Sequence, residues 1–79
     1  MAILIEIVKV SETDREAIYE FGFVGSRHGK LGVDKVTGEV VELDPVPSKN
    51  PAFFFSRAKL ALEKHYQKGE FPERTDYRA

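Results

Sequence analysis

Cysteine and tryptophan are both missing from this 79-residue chain. Without cysteine there is no disulfide framework and no thiolate metal site, which suits a reducing compartment. Histidine is scarce, only His28 and His65 being present. Nothing in their spacing resembles a metal-ligand pair, so neither a metal nor a cofactor is expected. Excess charge of one sign is also lacking: the net charge is −1, with acids and bases interspersed. That excludes a global attraction to nucleic acid or to an anionic membrane, and any such binding has to be local. Long apolar runs are missing as well. The longest, Ile3 to Val10, is interrupted by Glu6 and Lys9 well short of spanning length, and no basic segment precedes it as in a signal peptide. A soluble, unprocessed, cytoplasmic chain with no membrane contact is the expectation.

What is present reads as one small domain over residues 1–79. A chain of this size buries about 60% of its unfolded surface, so its stability is thin and association is a natural supplement. The run Ile3–Val10 has apolar residues on both faces and predicts a strand buried on both sides. After the polar turn Ser11–Asp14, the residues Ala17, Tyr19, Phe21 and Phe23 recur with a period of two. Gly25–Gly29 is a glycine-bracketed loop. Beyond it, Thr37-Gly38 forms a hairpin turn, and the strands around Lys30–Lys35 and Glu39–Asp44 are expected to pair antiparallel. Pro45 and Pro47 then end the sheet.

The last third is helical. Asn50 is a suitable N-cap, Pro51 occupies the first helical position, and Gly69 is a suitable stop. Phe54, Phe55, Ala58, Ala61, Leu62, His65 and Tyr66 recur at helical spacing and define one apolar stripe over about Pro51–Lys68. Lys64, His65 and Lys68 complement the helix dipole at its C-terminal end. The predicted fold is therefore α+β: an antiparallel four-stranded sheet in β-β-β-β-α order, covered on one face by a single C-terminal helix. Tyr19, Phe21 and Phe23 lie beneath that helix as core, and residues 72–79 are a loosely held tail.

Chemistry is harder to find. The segment Phe21-Gly22-Phe23-Val24 resembles the centre of the aromatic signature of RNA-recognition motifs, in which a sheet surface stacks unpaired bases. That resemblance implies a single-stranded nucleic-acid binder using Arg15, Tyr19, Phe21 and Phe23, with Arg27 and Lys30 supporting it. The loop Gly25-Ser26-Arg27-His28-Gly29-Lys30 lacks the spacing, the hydroxyl residue and the following helix of a phosphate-binding loop, which leaves weak anion or metabolite contact at 25–30. Leu31 to Val40 resembles the strand-turn-strand ending of PepSY-type domains and implies no function by itself. Ser26 beside His28 has neither the nucleophile elbow nor an orienting acid, so no catalytic residue is assigned and the protein is not expected to be an enzyme.

The function expected from these observations is a small bacterial-type adaptor, inhibitor or immunity-like module that binds another protein. Arg27, His28 and Lys30 in the loop and Arg74, Tyr77 and Arg78 in the tail are its candidate contacts, since aromatic and guanidinium groups are enriched at interface hot spots. A homodimer closed through an unpaired strand edge is a second expected association. Nucleic acid ranks below protein as the expected partner.

Overall fold

The structure, a computed structural model, describes residues 4–78, and at residues 26–28 the backbone alone. Strands β1 (Leu4–Glu12), β2 (Glu16–Phe23), β3 (Ser26–Asp34) and β4 (Val40–Asp44) precede helix α1 (Pro51–Gln67), and strand β5 (Arg74–Arg78) follows it. The sheet runs β4-β3-β2-β1-β5, every neighbouring pair antiparallel. The fold is thus α+β with an antiparallel sheet of five strands rather than four, and one helix.

The extra strand comes from the segment expected to be a loose tail. In residues 74–78 Thr75, Asp76 and Tyr77 are partly buried, while Arg74 and Arg78 at the ends are exposed. An exposed β1 edge would leave a row of peptide donors and acceptors unpaired, and β5 supplies their partners. The connection is guided before the strand begins: the Lys9 N–H donates to the Glu73 carbonyl at 2.8 Å, and the Tyr19 hydroxyl to the Pro72 carbonyl at 2.9 Å. The segment is too polar for a core, but an edge strand needs only one apolar side.

Alternation also explains the buried set. Ile5 and Ile7 from β1, Ala17, Tyr19 and Phe21 from β2, and Leu31 and Val33 from β3 share one buried cluster with Phe54, Ala58, Ala61 and Leu62 from α1. Residues two apart along a strand fall on the same face, and each of these series keeps that spacing. The other side of β1 is only half-buried at Leu4 and Val8, so this strand is not enclosed on both faces as its composition suggests. Phe23, expected in the core, is not buried. It is 51% exposed and meets the Phe54 ring edge-on at 4.7 Å. It pairs with Ile5 in unbroken register, so it keeps the side of Tyr19 and Phe21, but it is the last residue of β2 and the sheet no longer encloses it there.

The hairpin turn and the turn that ends α1 follow their sequence signals. In the β3–β4 hairpin Gly38 has φ +81, and the Asp34 carboxylate accepts hydrogen bonds from the Val36 and Thr37 N–H groups at 2.8 and 3.0 Å. At the helix end Gly69 has φ +73, while the Gly69 and Glu70 N–H groups donate to the Tyr66 and His65 carbonyls, each at 2.9 Å. Those paired bonds are the Schellman arrangement that glycine favours. At the other end Asn50 makes no capping hydrogen bond through its side chain; its carbonyl accepts from the Phe53 N–H at 3.1 Å instead.

Candidate functional site

The Schellman turn reverses the chain so that β5 runs back beside the final turns of α1. Between them lies a recess of about 240 Å³, lined by Lys64, His65 and Lys68 from the helix and by Asp76, Tyr77 and Arg78 from the strand. The Asp76 carboxylate accepts from the Arg78 guanidinium at 3.4 Å. Lys64 and Lys68 leave the recess basic, in a chain whose net charge is −1. Arg57 lies 4.8 Å from the centre of the Phe53 ring and 6.0 Å from that of Tyr77, adding a guanidinium on aromatic faces to the same side of the helix.

The backbone of β5 contributes as well. In an antiparallel pair, bonded and non-bonded residue pairs alternate. Since Lys9 bonds Glu73, the bonded pairs continue as Ile7 with Thr75 and Ile5 with Tyr77. Arg74, Asp76 and Arg78 therefore direct their N–H and C=O groups away from β1, toward the open edge of the sheet.

His65 ties the seam together. Its Nδ1 lies 3.0 Å from Glu70 Oε1 and its Nε2 2.9 Å from Thr75 Oγ1. The sequence places this residue on the helix stripe and as a complement to the helix dipole, with no bond to the following strand. Glu70 and Thr75 follow the helix stop by one and six positions, and the signal that could have joined them is a glycine cap followed by the alternating segment Arg74–Arg78.

The other sequence-derived candidates scatter. Arg74, Tyr77 and Arg78 share β5, but the two arginines point to the face opposite Tyr77. Lys30 lies in β3, opposite Glu20 of β2 and Asp44 of β4, three strands from β5. The side chains of Arg27 and His28 lie outside the described residues. Tyr19 and Phe21 have no exposed surface, so they offer no face to a stacked base. Burial, followed by the charges of Glu12 and Glu73, pushes the Tyr19 hydroxyl up to about 12. Arg15 lines a separate, open recess of about 520 Å³ with Gly32, Asp34, Val41 and Leu43. Val41 and Leu43 are about half exposed there, at 47% and 50%. Among the described residues, no group of three or more histidine, cysteine or acidic side chains is placed to hold a metal ion, and no helix is long and apolar enough to cross a membrane.

Comparison with protein-family models, with curated proteins and with solved structures finds no match to this chain. The reading of the site therefore rests on its own geometry.

Proposed function

We propose that the protein is a small interaction module, of the adaptor, inhibitor or immunity-like kind, that binds a partner protein by adding an extended acidic segment of it to β5. One observation carries this reading: β5 is an edge strand whose outward peptide groups at Arg74, Asp76 and Arg78 lie beside a basic recess. Main-chain hydrogen bonds to such an edge supply affinity, and pockets for alternate side chains supply selectivity. Lys64, Lys68, Arg74 and Arg78 favour acidic residues in the incoming strand, and their charge speeds encounter at low salt.

The opposite edge is less suited. Strand β4 carries a register irregularity opposite Lys30 and Leu31 and runs into Asp44-Pro45, both devices that discourage strand addition. The nucleic-acid reading rests on other cations, Arg15, Arg27 and Lys30, and two of its three stacking rings, Tyr19 and Phe21, are buried.

Selection from a displayed library of random peptides tests the proposal. Acidic, extended peptides are expected to be enriched, and their binding is expected to weaken with salt. Asp76→Pro should abolish it, because proline there removes an outward donor while leaving the bonded pairs at Thr75 and Tyr77 intact. Peptides that bind Asp76→Pro as well as the native chain would rule out β5 as the docking edge. Tighter, steeply salt-dependent binding of single-stranded oligonucleotides would shift the assignment to nucleic acid.

A further inference from the structure

The contacts of His65 do more than anchor a helix to a strand. An ionised carboxylate only accepts hydrogen bonds, so Glu70, 3.0 Å away, holds the ring proton on Nδ1. The Nε2 lone pair is then left to accept from the Thr75 hydroxyl at 2.9 Å. A hydroxyl, a base within hydrogen-bond reach, and a carboxylate that orients the base make up the constellation that activates a nucleophile for acyl transfer. It is recognised by geometry and roles, not by the order of residues along the chain.

The surroundings fit the same chemistry. The His65 side chain is 29% exposed and Thr75 is partly buried, so both are reachable from solvent. Asp76 follows the hydroxyl residue directly and turns its main-chain N–H to the open edge. The residue after the nucleophile is a recurrent source of an oxyanion donor. The recess of about 240 Å³ that includes His65 and Asp76 also carries Lys64 and Lys68, which would seat an anionic group on the acyl donor.

We propose that Thr75 is an acyl-accepting nucleophile, activated by His65 and Glu70, toward activated carboxylic esters that bear a negative charge. This goes beyond the binding role and departs from the sequence expectation of no catalytic constellation. In the first step Thr75 Oγ1 bonds to the acyl carbon and its proton passes to His65 Nε2. The ester C–O bond breaks, and the leaving alcohol takes that proton. In the second step water gives a proton to the same nitrogen and attacks the acyl-threonine. The carboxylic acid departs and the hydroxyl is restored.

The test is incubation of the full chain with 4-nitrophenyl hydrogen succinate and, separately, with uncharged 4-nitrophenyl acetate. Nitrophenol release is followed, and the peptide carrying Thr75 is examined by mass spectrometry. A hydroxylamine-labile ester on Thr75 is expected, formed faster from the charged substrate. It should be retained in Thr75→Ser and lost in Thr75→Val, which keeps the branched shape of the strand residue. His65→Gln should slow its formation about a hundredfold, the scale of a positioned general base. Circular dichroism confirms that each variant is folded. Acylation confined to lysine amines, or release by folded Thr75→Val at the native rate, overturns the proposal and leaves the three residues as a structural clamp.

Discussion

The Tyr66 ring lies across Gly38, so closely that a Cβ added to the glycine would stand 2.5 Å from ring carbon Cε2. The same tyrosine donates its hydroxyl hydrogen bond to the Val36 carbonyl at 2.9 Å. The β3–β4 hairpin is thereby fastened to the last turns of α1, and Gly38 is fixed both by its positive φ and by the space it leaves.

Gly38→Ala should destabilise the fold by about 2–4 kcal/mol, combining the left-handed conformation with overpacking against the ring. Tyr66→Phe keeps the ring and removes one hydrogen bond, so it should cost about 1 kcal/mol. Denaturant melts of both variants measure the difference. Equal effects would mean that the hydroxyl, not the close approach, holds the hairpin.

Acid should loosen that same turn. The Thr37 and Val36 N–H groups, Thr37 first, hold the Asp34 carboxyl below its ordinary value of 3.8. A depressed folded value means that this contribution is complete above pH 3.8 and is lost as pH falls from there through the lower folded value. Amide exchange at Val36 and Thr37, corrected for the intrinsic rate, should therefore rise over that interval. Asp34→Asn should lack the acid-dependent step.

Tyr19→Phe should release β5 preferentially. The lost hydroxyl bond to the Pro72 carbonyl holds the approach to β5, and its removal should cost about 1 kcal/mol. Hydrogen exchange is the informative readout, with Thr75 and Tyr77 amides losing more protection than those of β2. A uniform loss across the sheet would show that the tyrosine supports the whole fold rather than the last strand.

Phe54→Ala should be the most damaging helix substitution. Phe54 is buried and meets the rings of Phe23 and Phe53 at 4.7 and 5.8 Å. Truncating a buried phenylalanine costs about 3–5 kcal/mol. Leu60→Ala, on the exposed side of α1, should stay within about 0.5 kcal/mol. Thermal denaturation of the pair tests whether α1 is held by this stripe.

Local signals in the sequence determined the elements: Pro51 and Gly69 bound the helix, Thr37-Gly38 makes the hairpin, and the spacing of Ile5, Ile7, Tyr19 and Phe21 marks the buried side of the strands. These features act within a few residues, through φ preferences, caps and side-chain periodicity, so they are legible without knowing what lies alongside. Only the tertiary structure decided that residues 74–78 become β5, because that depends on an unpaired β1 edge about seventy positions earlier. It also decided that Phe23, at the end of β2, stays half exposed, and that His65, Glu70 and Thr75 meet. Those outcomes depend on hydrogen-bond pairing and on where the chain reverses, and side-chain chemistry read in sequence order does not encode either.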